Sequence, residues 1–202
     1  MNENAKRIIG LTGGISTGKT TVSHYLNTVC HIPVLDADHY SREAVEKNSP
    51  ILQAIQQRYG AEICFKNGEL NRKKLGNIIF NNLREKTWLE SKIHPYVRHK
   101  FTQEISQEQG RIILLDIPLL FESNCTHLVT EIWVVHCSSE QQLERLITRN
   151  NLSEKEAFTR IQSQLPLEEK IQKADLVLDN SSTLEALYQQ IEQALKSTTH
   201  YN

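Results

Sequence analysis

A chain of 202 residues is long enough for one buried core with an appended lobe, and short for two independent domains. Hydrophobic residues make up 39% and charged residues 23%, which excludes the apolar-poor composition of disorder; a net charge of −1 excludes a global field for nucleic acid, so any phosphate must be held by local clusters. The cysteines Cys30, Cys64, Cys125 and Cys137 form no C-x-x-C pair, which argues for reduced thiols in a cytoplasm, and the apolar run 8–11 is too short for a signal-peptide core or a membrane span.

Short β-type runs at 7–12, 33–36, 111–117, 131–136 and 176–178 alternate with helix-type stretches, the order of a parallel α/β sheet flanked by helices. Most are unbroken apolar runs ending near a polar residue, as expected when both sheet faces are covered and function sits at the carboxyl ends. The first run leads into Gly13-Gly14-Ile15-Ser16-Thr17-Gly18-Lys19-Thr20, a match to G-x-x-x-x-G-K-[ST] that follows a strand and opens a helix. In such a P-loop the glycines let backbone N–H groups turn toward phosphates. The Lys19 ammonium reaches the β- and γ-phosphates, and the Thr20 hydroxyl is a ligand for Mg²⁺.

Asp36-Ala37-Asp38 follows the second run, which in an α/β sheet can lie beside the P-loop strand with its end near the γ-phosphate. A carboxylate there either orients an attacking hydroxyl or caps a helix beginning near His39. About 75 residues then separate the second and third runs, too many for a simple crossover, and predict an inserted helical lobe at about 39–109. Within it, Asn71 caps a helix over 72–81, and 85–108 reads as a long amphipathic helix interrupted near His94-Pro95.

Asp116 ends the third run, as a Walker-B-like acid or as a plain strand-end carboxylate. A helix at about 140–149 follows the fourth run. Ser153-Glu154-Lys155-Glu156 is a capping box that restarts the helix toward Gln164 before Pro166, giving a movable lid at about 143–165. Arg145 and Arg149, four apart on one face, can converge on one phosphate chain or stand as solvated surface charges; Arg160 and Gln164 repeat the spacing. No N-K-x-D guanine-reading element is present, which counts against a GTPase switch.

As a set, these motifs resemble the dephospho-CoA kinase family. The stretches that carry the resemblance are 11–20, Asp36-Ala37-Asp38 with Arg42-Glu43, and Ile93-His94-Pro95 with Val97-Arg98. Later come 116–122, Arg145 with Arg149, Arg160-Ile161 with Gln164, and Ala174-Asp175 leading to Asp179-Asn180-Ser181, in order from about 7 to 182. The resemblance implies a P-loop core at about 1–38 and 110–202, with ATP and dephospho-CoA as reactants and Mg²⁺ as cofactor. Asp38 matches the catalytic carboxylate, acting with Lys19 and Arg145. ATP falls to Gly13, Gly14, Ser16, Thr17, Gly18, Lys19, Thr20, Thr21, Arg145, Arg149 and Asn180, with Asp179-Asn180 near the adenine. Dephospho-CoA falls to Asp38, Arg42, His94, Arg98, Asp116 and Arg160, and the metal to Thr20 and Asp116. Where the family usually has Gly-Ser before Gly-Lys, this chain has Ser16-Thr17. Leu119, Leu120 and Phe121 read as packing, and Glu122 as a contact to a ribose hydroxyl or a solvated turn. The expected protein is a cytoplasmic monomer or weak homo-oligomer with no nucleic-acid or membrane partner. The remaining readings are another P-loop small-molecule kinase or a P-loop regulatory NTPase.

Overall fold

The computed structural model describes residues 6–80 and 82–196. Among these, five strands form within one residue of their expected ends: β1 (Arg7–Gly13), β2 (Val34–Asp36), β3 (Ile112–Asp116), β4 (Glu131–His136) and β5 (Leu176–Asp179). They make one parallel sheet in the order β2-β3-β1-β4-β5. β1 pairs in parallel with both β3 and β4, so the strand order reverses at β1 and the crevice beyond its carboxyl end is the topological switch point.

The order corrects one expectation: β2 does not lie beside the P-loop strand, because β3 takes that place. Ile113, Leu114 and Leu115 are wholly buried, so β3 gains most from a central position, whereas the three residues of β2 are only half-buried or exposed and go to the edge.

The chain divides into two compact units, the first of Met1–Leu35 with Glu108–Asn202 and the second of Asp36–Gln107. In the first, α1 (Lys19–Thr28), α8 (Leu167–Gln172) and α9 (Leu184–Lys196) pack on the sheet, and α6 (Ser139–Asn150) and α7 (Glu154–Gln162) pack on each other. Its core joins Ile9, Leu11, Leu114, Trp133 and Val135 of the strands to Val22 and Leu26 of α1 and Leu187 and Ile191 of α9. The capping box forms as expected: the Ser153 hydroxyl accepts from Glu156 N–H, and the Glu156 carboxylate accepts from Ser153 N–H at 2.9 Å. Asn151, at φ 50°, ends α6 in the left-handed region and lets α7 start in a new direction.

The second unit is helical, with α2 (Ala37–Glu43), α3 (Pro50–Tyr59), α4 (Arg72–Phe80) and α5 (Leu83–Gln107) around a cluster of Val45, Leu52, Ile55, Ile63, Leu70, Leu75 and Leu89. Asn71 caps α4 by accepting from Lys74 N–H, while the expected last residue of that helix, Asn81, lies outside the described residues. The expected interruption near His94-Pro95 is absent, and α5 runs through Pro95 as one 25-residue helix. A mid-helix proline costs about 3 kcal/mol. Packing on both sides of it outweighs that cost: Leu89 enters the lobe's core, and Val97 and Phe101 are buried further along, with Phe101 edge-on to Tyr40. Arg58 donates twice to Glu85 and stacks over Trp88, and this guanidinium holds the Glu85 carboxyl down at about 2. Among the described residues no helix is long and apolar enough to cross a membrane.

Candidate functional site

The residues after β1 form a loop whose carbonyls are tied down from behind. Lys170 Nζ donates to Gly13 O at 3.3 Å, Thr17 Oγ1 to Gly14 O at 2.9 Å, Gln142 Nε2 to Ile15 O at 2.9 Å and Asn180 Nδ2 to Thr17 O at 2.8 Å. With the carbonyls held, the N–H groups of Ser16, Gly18, Lys19 and Thr20 have no described acceptor, at the positive end of the ten-residue helix α1. Gly18 caps that helix at φ 101° without any side-chain cap, and a Cβ there would collide with the Asn180 amide. This is a cradle for an anion made of backbone donors. Ser16 sits at φ 62°, the left-handed region that a glycine enters without strain, so serine there costs on the order of 1–2 kcal/mol of backbone energy.

The register of β1 with β3 places Asp116 beside Leu11, two residues before the loop. Its carboxylate is buried and accepts from the Lys19 ammonium, so the P-loop lysine and the acid at the end of β3 meet as an ion pair. Thr20 is exposed in the first turn of α1. Among the described residues no group of three acidic, His or Cys side chains forms a metal cage. One hydroxyl and one carboxylate beside a phosphate cradle fit Mg²⁺, which keeps several waters and takes phosphate oxygens, better than a cation that needs an all-protein shell.

Arg145 reaches this framework: its Nη2 donates to Asn180 O at 3.0 Å, and its Nη1 is buried with no partner, a cationic donor still to be satisfied. Burial pushes the thiol of neighbouring Cys137 up, with Arg145 pulling the other way. Arg149 is exposed and donates to Asn150 instead, and Arg160 is exposed in the last turn of α7. Gln164, just beyond α7, accepts from Ile15 N–H at 2.9 Å and so links the end of that helix to the loop. Asp179 accepts from Ser181 N–H, and hydrogen bonding from the Ser181 side chain first, then its backbone, holds the Asp179 carboxyl low.

In the helical unit, Asp36 is the cap of α2, accepting from Asp38 N–H at 2.7 Å and His39 N–H at 3.4 Å. That leaves the Asp38 carboxylate exposed, with no described side chain paired to it. Asp38 and Arg42 line one cleft of about 360 Å³ together with Arg72. His94 and Arg98, four apart on α5, are not among its walls; burial lowers the His94 imidazole against the opposing pull of Glu90, and the nearby Arg98 lowers it further.

Three contributors were not read from the sequence. Gln142 lies three residues before Arg145 on the same helix face, a spacing that could have flagged it. Arg72 and Lys170 sit in charged runs that look solvated, yet Lys170 is wholly buried. Its ammonium pairs with Glu122 at 2.8 Å, and Glu122 also accepts from Leu165 N–H at 3.0 Å. Glu122 is therefore a clamp between the P-loop's support and the segment after α7, rather than a free turn. Lys170→Met removes the donor to Gly13 O and leaves Glu122 without its cation. It should lower unfolding free energy by about 1–3 kcal/mol in a urea titration, and an unchanged midpoint would show the clamp to be idle.

The family model for dephospho-CoA kinase (CoaE) matches residues 7–186. A dephospho-CoA kinase of Trichormus variabilis is 58% identical over 190 residues, covering 94% of this chain and 97% of that one. Among solved structures, TT1252 from Thermus thermophilus superposes with a TM-score of 0.83 at 31% identity, covering 96% of this chain and 99% of that one. A dephospho-CoA kinase from Campylobacter jejuni superposes at 0.71 with 28% identity, covering 94% and 96%.

Proposed function

This chain belongs to the dephospho-CoA kinase family, and we propose that Asp38 takes the proton from the ribose 3′-hydroxyl of dephospho-CoA as that oxygen accepts the γ-phosphoryl group of ATP held by the 13–20 loop. The chain is an ATP-dependent phosphotransferase. In the proposed step the 3′-oxygen bonds to the γ-phosphorus, the bond from phosphorus to the β–γ bridging oxygen breaks, and ADP leaves. Catalysis is then positioning and charge neutralisation. Backbone N–H groups of Ser16, Gly18, Lys19 and Thr20 hold the phosphates, Lys19 exchanges Asp116 for the β- and γ-oxygens, and Arg145 Nη1 gains an anionic partner. Thr20 and Asp116 would hold Mg²⁺, which offsets phosphate charge when bound.

The observation that carries this reading is the anion cradle, with its carbonyls tied back and its N–H groups without described acceptors, in a chain of this family. A coupled ADP-release assay against dephospho-CoA, adenosine, nucleoside monophosphates and gluconate tests it. ADP should appear far faster with dephospho-CoA than with any other of these acceptors. A preference for another acceptor, or release that needs none, would assign a different activity. We place the enzyme in the cytoplasm, a reading supported by four thiols that stand unlinked, and propose a monomer or weak homo-oligomer.

We assign residues 143–165 as a lid. The bond from Ile15 N–H to Gln164 couples their far end to the loop, and a hollow of about 790 Å³ between Gly14 and residues 161–168 leaves room for movement. Amide exchange across 143–165 should slow when ATP and dephospho-CoA bind together, since closure excludes water. Exchange that ignores both ligands would remove the lid.

A further inference from the structure

We propose that the cleft in the helical unit seats the pantetheine arm of dephospho-CoA, with Gly76 keeping its floor open and Arg72 with Arg42 holding the diphosphate at its mouth. The proposal rests on the acceptor reading above and names where the rest of that acceptor goes.

The cleft is built by helix faces. Asp38, Ser41, Arg42 and Val45 recur at i, i+3, i+4 and i+7 from α2 onward, and Arg72, Leu75, Gly76 and Ile79 repeat that spacing along α4. Moving along the first face, the carboxylate comes first, a guanidinium follows about 6 Å further on at 1.5 Å per residue, and the apolar cluster around Val45 lies beyond. Dephospho-CoA has the same order: a ribose hydroxyl, a diphosphate on the other side of the sugar, then an arm whose branched methyl groups and methylenes favour aliphatic walls.

Size narrows the choice of occupant. At about 360 Å³ the cleft is near the lower end of ligand pockets, which run from about 300 to 1,000 Å³, too small for the whole acceptor and suited to one portion. Its apolar walls are aliphatic, with no aromatic ring on which an adenine would stack. Charge points the same way. Arg72 Nη2 donates to the Arg42 backbone carbonyl at 3.1 Å, both residues line the cleft, and neither guanidinium is ion-paired with a described carboxylate. Two guanidinium groups on one cleft, neither paired with a carboxylate, suit the charge of a diphosphate.

Gly76 supplies the independent observation. It lies in the middle of α4, where glycine costs about 1 kcal/mol relative to alanine, yet a Cβ built on it meets nothing within 4 Å. Packing therefore does not require glycine there, and a larger side chain would take space from the cleft that Gly76 lines.

The test measures kcat and KM for dephospho-CoA, for ATP and for adenosine, which has neither diphosphate nor arm, in Gly76→Ala, Gly76→Leu and Arg72→Gln. The KM for dephospho-CoA should rise with side-chain size at position 76, reaching at least tenfold in Gly76→Leu, and about tenfold in Arg72→Gln. In both, kcat/KM for dephospho-CoA relative to adenosine should fall by the same factor while the KM for ATP holds. Wild-type enzyme that does not phosphorylate dephospho-CoA would overturn the acceptor reading itself. Active wild type with a folded Gly76→Leu that keeps its KM would overturn the arm site alone. Should Gly76→Leu fail to fold, the exposed Arg72→Gln decides: an unchanged ratio overturns the proposal, and a tenfold fall supports it.

Discussion

Lys19→Met should lower kcat by at least 10³-fold while the protein remains folded but measurably less stable. The loss of rate follows from the proposed role of the ammonium in offsetting charge on the β- and γ-phosphates, where removal of one well-placed donor typically costs about 10²–10³ and this one also carries a full charge. The loss of stability follows from Asp116. Its carboxylate is buried and paired with Lys19, so methionine removes the cation of that ion pair, at a cost on the order of 1–3 kcal/mol for a pair that is not fully desolvated. The two effects separate in a double variant. Adding Asp116→Asn removes the buried negative charge and should return much of the melting temperature, while turnover stays lost. Near-normal turnover in folded, metal-saturated Lys19→Met would take the lysine out of the mechanism.

What was legible in the sequence was local. Unbroken apolar runs become strands because a sheet covered on both faces needs nothing else along the chain, and the P-loop is a contiguous string whose backbone conformations depend on its own glycines. The capping box and the Asn71 cap are likewise bonds spanning three residues. Competition between distant segments was not legible. Whether β2 or β3 sits beside β1 depends on which buries more, and Pro95 is tolerated because Leu89, Val97 and Phe101 find partners elsewhere. The rear supports of the loop come from Gln142, Lys170 and Asn180, each well over a hundred residues from the carbonyl it holds, and no spacing announces such bonds. Helix α9 is a different case. Leu184, Leu187, Ile191 and Ala194 carry a helical period in plain view, and it went unread.

Asp38→Asn should lower kcat by about 10²–10⁴ with the KM for ATP little changed, because asparagine keeps the shape of the side chain and loses both its charge and its capacity to take a proton. The helix that carries it makes this substitution a clean one. Asp36 already caps α2, accepting from the N–H groups of Asp38 and His39, so Asp38 is released from that duty and its carboxylate stands exposed at the first turn. Losing a negative charge there weakens a favourable interaction with the helix dipole by only about 0.3–1 kcal/mol, too little to account for a hundredfold change in rate through unfolding. The neighbouring residue is the control. Asp36→Asn should keep the cap, since Asn and Asp serve equally there, and turnover should remain within about threefold of wild type. In a loose phosphoryl-transfer transition state the proton moves late, so a loss near the lower bound still marks a group that orients the hydroxyl. A change below about threefold in Asp38→Asn that still binds dephospho-CoA would move the assignment off Asp38, and a large loss in Asp36→Asn at unchanged stability would move it to Asp36.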